Sequence, residues 1–480
     1  MAPIVFLASF CLMLVQVVSG RALAPFVGTS IYAWTGVIGT TLAGLIFGSA
    51  AGGYLADRLP TRKSLGMVLA CAGVSVLSAN FVILVTGEYM GAGSMPLLMR
   101  VLVTSIGAFF PAAFFLAMVS PLAAKISVAS VAKAGVVVGA LSAIGTLGNI
   151  LGAATGAYVL IPLVGTKALL TGIAVGLFVL GCGVAAGHKL WKNRLVLLAG
   201  LFLVGDLLLP NVCQKETSYY CIRVIETKNK QGAPVEVLRL DHLVHSYVNQ
   251  ADPLDLGYDY ERVYANLIAE RYASSTPFTA FFIGGGGYVL PRYLEAAYPR
   301  ATSIVAEIDP GVTAFNHDVL GLSSTTTVIT HNQDARQYLM RGNDPSYDLV
   351  FGDAFNDFSV PTHLTTVEFQ RLLKSRMKPD GIYALNIIDD ARYGKFLAAM
   401  YRTLASVWSH VEVDTQADKI NPGRNTIVLL ASDAPIPSST LKLIPHDQVE
   451  TFLDDHITPV LSDDFAPTDR YLAPVFQDAY

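Results

Sequence analysis

Before Pro210 the chain returns repeatedly to apolar runs of about 18 to 25 residues, and after it they stop. A helix rising ~1.5 Å per residue needs ~20 such residues to cross a ~30 Å hydrocarbon core, so this half reads as a bundle of membrane-spanning helices. Seven candidate spans can be drawn, at about 3–19, 31–55, 64–86, 97–119, 134–162, 167–187 and 195–210. The first is not read as a signal peptide, because no basic residue precedes it and further spans follow directly. The seventh is short and carries Asp206, which also fits an interfacial or re-entrant segment. This asymmetry accounts for a composition of 52% hydrophobic and 15% charged residues and a mean hydropathy of +0.48. The remaining stretch of about 270 residues has ordinary globular composition and can bury a core of its own.

Small residues recur along the spans, as in Gly39–Gly53 and Gly135–Gly156, and let helix backbones approach closely where no hydrophobic drive separates helix from lipid. Arg58, Arg62, Lys63, Lys125, Lys133, Lys189, Lys192 and Arg194 fall in loops on the side of the N-terminus, which the positive-inside rule makes cytoplasmic. With seven spans the globular part then faces outward, and with six it stays inside. Cys213 and Cys221, the two cysteines beyond the apolar runs, can form a disulfide in an oxidising compartment or remain two thiols. A net charge of −4 without a basic tract argues against a nucleic-acid partner. No Cys/His pattern has metal-site spacing, so no metal is expected.

Residues about 211–275 carry strand-like alternation, with Tyr219–Ile225 and Val235–Leu240 separated by a polar turn, and read as a small β subdomain. From 276 onward the pattern is β-α-β. Strands are expected near 279–283, 303–307, 326–330, 347–352 and 381–387, with helices such as 290–298 and 366–377 between them, giving a Rossmann-like parallel sheet covered on both faces. Ligands of such sheets bind at the carboxyl ends of the strands. Four glycines, Gly284, Gly285, Gly286 and Gly287, follow the first strand, where backbone can approach a ligand. Glu307 stands about 20 residues on, placed to accept from both ribose hydroxyls. Asp334 and Ala335 follow the third strand, with Asp334 placed to accept from an adenine amine, and Asp353 ends the fourth. Together they indicate an adenosine-type ligand.

Over about residues 213–400 these motifs resemble the spermidine synthase family, which transfers an aminopropyl group from decarboxylated S-adenosylmethionine to an amine. The resemblance implies that Glu307 holds the ribose and Asp334 the adenine. It makes Asp353 the acid that deprotonates the attacking amine, and Tyr264, in Glu261-Arg-Val-Tyr264, a tyrosine beside the reacting groups. Two departures bear on the donor: where the family has Gly-Gly-Gly-Asp-Gly-Gly, Gly287 replaces the aspartate and Tyr288 the next glycine. That aspartate pairs with the donor's ammonium, so its absence relaxes the choice between decarboxylated and intact S-adenosylmethionine. On the acceptor side, Ala265 replaces a glutamine or histidine, and Asn356 stands in register with the second acid of the family's Asp-Ser-Ser-Asp motif, with Asp357 one residue on. Asn356, Asp357 and His363 are the candidate acceptor-binding residues, with Glu216, His242, His245, Asp389, Asp463, Asp464 and Asp469 also available.

The sequence therefore describes an N-terminal transmembrane helical bundle (1–210), a small β subdomain (211–275) and a Rossmann-like α/β domain (276–480). The expected function is a membrane-anchored transferase moving an aminopropyl-type group from an S-adenosyl donor to an amine or polyamine. Rival readings are a methyltransferase acting on a lipid or small amine, and a non-catalytic sensor of nucleosides or polyamines. The expected setting is a bacterial inner membrane, with the lipid bilayer as partner and assembly as a homodimer left open; loop charge with seven spans favours an outward globular part, and availability of the donor favours the cytoplasm.

Overall fold

The computed structural model describes every residue except 30, 90–95, 129, 186–193, 343–345, 355–359, 418–419, 421 and 478–480. The chain divides into two compact units, Met1–Cys221 and Ile222–Ala479.

The first unit is helical: α1 (Ala2–Val27), α2 (Ile31–Arg58), α3 (Arg62–Tyr89), α4 (Leu97–Ala117), α5 (Val119–Ser127), α6 (Ala134–Thr155), α7 (Ile161–Val164), α8 (Thr166–Val184) and α9 (Arg194–Leu208). Among the described residues six helical stretches are long and apolar enough to cross a membrane, where the sequence suggested seven. The seventh, α9, is 15 residues long, which at ~1.5 Å per residue falls short of a ~30 Å core. It nevertheless runs back along the bundle. Asp206 near its end accepts from Thr171 of α8 at 2.6 Å and from Asn80 of α3 at 2.8 Å, and Lys167 at the start of α8 donates to the Leu209 carbonyl oxygen at 2.5 Å. The chain therefore emerges at the end of the bundle opposite the N-terminus, where Arg21 of α1 donates to the Thr217 and Tyr219 carbonyls. At that end Cys213 and Cys221 are joined in a disulfide.

Glycines act in this bundle by closeness. A Cβ at Gly148 or Gly152 of α6 would fall 2.5 Å from the Phe6 or Phe10 carbonyl oxygen of α1, and one at Gly73 of α3 would fall 2.7 Å from Ala174 of α8. Small residues thus let backbones touch, which is how helices pack when lipid is as apolar as leucine.

The second unit opens with an antiparallel meander. The two-residue strand β1 (Lys215–Glu216) still belongs to the first unit, and the meander is β2 (Cys221–Lys228), β3 (Pro234–Leu240) and β4 (Leu243–Val248). Next is α10 (Asp259–Arg271), whose first turn is closed by Glu261 accepting from the Tyr258 amide at 2.9 Å. The main fold then alternates β5 (Thr279–Ile283), α11 (Val289–Ala297), β6 (Thr302–Ala306), α12 (Pro310–Asp318), β7 (Ile329–His331), α13 (Ala335–Arg341), β8 (Tyr347–Gly352), α14 (Val367–Lys374), β9 (Met377–Asp390) and α15 (Lys395–Ala405). It closes with β10 (His410–Asp414), β11 (Arg424–Ser432), α16 (His446–Asp455) and α17 (Thr468–Gln477).

Seven strands form one sheet in the order β10-β11-β9-β8-β5-β6-β7. Strands β7, β6, β5, β8 and β9 run parallel, and β11 inserts antiparallel beside β9. The sheet is therefore mixed, where a wholly parallel one was expected. Phe281, Leu349, Phe351, Ile382, Val428 and Leu430 fill its buried centre. The order winds outward from β5 to β7 and then returns to β8 on the other side of β5. That reversal opens a crevice at the carboxyl ends of β5 and β8, the place where a ligand of such a sheet binds.

Candidate active site

The crevice is bordered by the glycine loop on one side and Asp353 on the other. The Asp353 amide donates to the Ile283 carbonyl oxygen at 3.1 Å, tying the two strand ends together. Gly284 has φ of 97°, and a Cβ there would lie 2.8 Å from the Asp353 carbonyl oxygen, so only glycine fits the junction.

The next glycines are fixed by their amides. Gly285 donates to Glu307 Oε2 at 2.8 Å and Gly287 to the Ser246 hydroxyl of β4 at 2.9 Å. Gly287 has no room for the aspartate of the resembling family: a Cβ would lie 2.7 Å from Ser246 Cβ and 2.8 Å from Val248 Cγ2. Tyr288 keeps the left-handed backbone that glycine would take, with φ of 54°. Its fully buried ring offsets that strain, and its hydroxyl meets Thr313 Oγ1 at 3.0 Å and Thr330 Oγ1 at 3.3 Å.

Glu307 follows β6 and is buried; besides Gly285 it accepts from the Asp309 amide at 2.9 Å. Burial raises its pKa, against the pull of backbone amides. The Gly286 amide also bonds to this carboxylate, which accepts about four bonds, so acceptor capacity remains for a ribose hydroxyl.

Asp334 caps α13 by accepting from the Gln337 amide at 2.9 Å, with Ala335 buried behind it. His363 Nε2 meets its other oxygen at 2.7 Å. Burial works to raise the Asp334 pKa, but the His363 and Gln337 hydrogen bonds outweigh it and hold the pKa low. His363, expected on the acceptor side, thus sits on the carboxylate assigned to adenine. Asn356 and Asp357 lie outside the described residues.

Asp353 is the best-supported carboxylate of the crevice. Tyr260 Oη donates to its Oδ2 at 2.6 Å and Asn386 Nδ2 of β9 to its Oδ1 at 2.8 Å. Burial raises its pKa above the usual aspartate range, opposed by those two donors. Tyr264, which the family pattern places beside the reacting groups, is 1% exposed, packs at a tilt on Phe351 with ring centroids 4.8 Å apart and reaches the Ala384 carbonyl oxygen at 3.4 Å. Tyr260, one helical turn earlier, makes the contact to Asp353 instead.

Sequence reasoning missed both Tyr260 and Asn386. Spacing held a clue to the first, because residues four apart share a helix face. A lone amide inside the apolar run Ile382–Ile388 held one to the second.

Around Asp353 the rings of Tyr247, Tyr258, Tyr260 and Tyr264 follow one another at centroid distances of 5.1, 5.4 and 5.6 Å. Behind them Glu261 is buried, and burial pushes its carboxyl up to about 8, with the Asp353 charge adding to the rise. Tyrosine faces and a carboxylate together favour a cation.

Other acids noted in the sequence lie elsewhere. Asp389 is fully buried, accepts the Asp390 and Leu397 amides at 2.7 and 2.8 Å, and is raised by burial to about 6. Asp463 pairs with Arg336, whose hydrogen bond draws it down to about 2. Glu216 belongs to the helical unit.

No protein-family profile matches the chain. The polyamine aminopropyltransferase of Vibrio vulnificus is 29% identical over 130 residues, covering 27% of this chain and 44% of that protein. A probable polyamine aminopropyl transferase of Bifidobacterium longum is 27% identical over 134 residues, 28% of this chain and 29% of that one. The chain thus spans less than half the length of these curated relatives. Among solved structures, a probable spermidine synthase from Corynebacterium glutamicum is 20% identical, with 54% of this chain and 99% of that one covered and a TM-score of 0.46. Stretches of 130 and 134 residues of the chain are thus similar to polyamine aminopropyltransferases.

Proposed function

We propose that this chain is a membrane-anchored transferase that alkylates an amine with an aminopropyl-type group from an S-adenosyl sulfonium donor. The observation that carries the reading is Asp353, held by Tyr260 and Asn386 at the topological switch point and packed against the glycine loop. Glu307 and Asp334 hold the nucleoside in this reading, with Ala335 and Gly284–Gly287 giving it backbone to lie against. The tyrosine wall and Asp353 receive the cationic amine.

A sulfonium already carries a good leaving group, so the protein's task is alignment and proton removal. The amine reaches the site as an ammonium and gives a proton to the Asp353 carboxylate. Its freed lone pair forms the new C–N bond as the C–S bond breaks, and the electron pair returns to sulfur to leave a neutral thioether nucleoside. Burial raises the basicity of Asp353, which suits it to this step near neutral pH. Closure of the space beside Gly287 favours no special reading of the donor's tail, so intact and decarboxylated S-adenosylmethionine both fit the nucleoside half of the site.

Titration of the full-length protein with S-adenosylmethionine, its decarboxylated form and methylthioadenosine tests the reading. All three share the adenosine, so Glu307→Gln should weaken each about tenfold or more, the loss of charge-assisted hydrogen bonds worth ~1.5–3 kcal/mol. Absence of saturable binding by all three in folded protein would overturn it.

A further inference from the structure

The helical unit carries an open cavity of about 310 Å³, bounded by the end of α1, by α3, by the turn into α8 and by the segment that follows α9. That size lies at the lower end of small-molecule sites, which run to ~300–1,000 Å³. It opens among the helix ends opposite the N-terminus, and nothing in the transferase reading uses it.

Two opposite charges line this one space, Lys167 and Glu216. Among the described residues no ion pair within 4.0 Å joins them. Lys167 Nζ instead donates to the Leu209 carbonyl oxygen at 2.5 Å. The Glu216 carboxylate accepts from the Thr166 amide at 3.0 Å and from the Thr166 hydroxyl at 2.7 Å.

An ammonium has three donors and a carboxylate about four acceptor positions, so both keep capacity for a ligand. Asn80 also lines the cavity; its amide nitrogen is committed to Asp206 at 2.8 Å, which leaves its carbonyl oxygen to offer. Opposite charges in a low-dielectric wall gain most by pairing with each other. Here each is anchored separately, which preserves one positive and one negative pole facing a common space. The strap forming one side of that space, Leu209–Glu216, is tied at Cys213 to Cys221.

We propose that this cavity binds a small zwitterion of amino-acid type, its carboxylate on Lys167 and its ammonium on Glu216 and the Asn80 carbonyl oxygen. A ligand with both charges satisfies both walls, whereas one with a single charge leaves a pole unmatched. The site is separate from the transferase crevice and stands or falls independently of it.

Thermal unfolding of the full-length protein in detergent, titrated with L-norvaline, pentanoate and butylamine, tests this. The two controls each keep one charged group of the first. L-norvaline should give a saturable rise in the unfolding temperature, with pentanoate and butylamine at least tenfold weaker. Glu216→Gln and Lys167→Met should each weaken L-norvaline at least tenfold while circular dichroism shows the fold retained. Because Glu216 also caps α8, Lys167→Met decides the matter if Glu216→Gln does not fold. Equal binding of either single-charge control, no saturable rise with any of the three, or undiminished binding by Lys167→Met would overturn the proposal.

Discussion

Placing an aspartate at position 287 is the change that the family pattern recommends and the structure resists. A Cβ there meets Ser246 Cβ at 2.7 Å and Val248 Cγ2 at 2.8 Å, whereas ordinary contact begins near 3.4 Å. The loop or β4 must therefore yield by several tenths of an ångström at two points. Ser246 and Val248 are 5% and 2% exposed and β4 is paired to β3, so neither neighbour moves freely. Overpacking of this kind costs ~1–3 kcal/mol. If the loop takes up that strain, donor affinity falls by about 5- to 150-fold, at ~1.4 kcal/mol per factor of ten. Gly287→Asp alone should thus weaken S-adenosylmethionine and its decarboxylated form together, measured by calorimetric titration of the full-length protein. With room made by Ser246→Gly and Val248→Ala, the aspartate should recover affinity for the decarboxylated donor selectively, a non-additive result between touching residues. Tighter binding of the decarboxylated donor by Gly287→Asp alone would refute the steric reasoning.

Further outcomes follow from other contacts. Tyr260→Phe removes a donor that holds the Asp353 pKa down, so the acid limb of the pH–rate profile should move upward, with a loss of about ten- to hundredfold for a charge-assisted bond of ~1.5–3 kcal/mol. The sign is fixed because the base acts deprotonated and its raised pKa already places that limb above an ordinary aspartate; an unmoved limb would separate Tyr260 from the base. Gly148→Leu should disrupt the helical unit, seen as lost monodisperse protein in detergent, because the side chain must enter the Phe6 backbone; the same change at Gly139, where a Cβ meets nothing within 4 Å, should be tolerated. A cysteine at Asp252 should react with a membrane-impermeant maleimide from the outside of intact cells, and Cys213–Cys221 should appear as a linked peptide under non-reducing conditions. Labelling only after lysis would contradict an outward exit of the chain.

Much of this was legible from residue order because strand ends announce themselves. An apolar run stopped by four glycines, then acids after the second and fourth strands, placed Gly284, Glu307 and Asp353 around one crevice. What stayed hidden depends on packing between distant segments. The strand β4 was not recognised, so the filling of the space beside Gly287 by Ser246 and Val248 could not be foreseen. Antiparallel β10 and β11 were missed because Ile427–Ala431 is apolar without alternation, and burial on both faces erases the period-two signal. Tyr260 was overlooked beside Tyr264 because both share one helix face, and only their depth distinguishes them. The pairing of Cys213 with Cys221 was open in the sequence, where a separation of eight allows either state, and the fold brings them together.

The most direct measurement is the mass of the product. Full-length protein incubated with an S-adenosyl donor and a primary diamine should yield the acceptor enlarged by an aminopropyl-type group together with a neutral thioether nucleoside. Asp353→Asn should abolish both while donor binding persists. Transfer of a methyl group only, no transfer to any amine by folded, donor-binding protein, or undiminished transfer by Asp353→Asn would contradict the assignment of Asp353 as the base of an aminopropyl-type transferase.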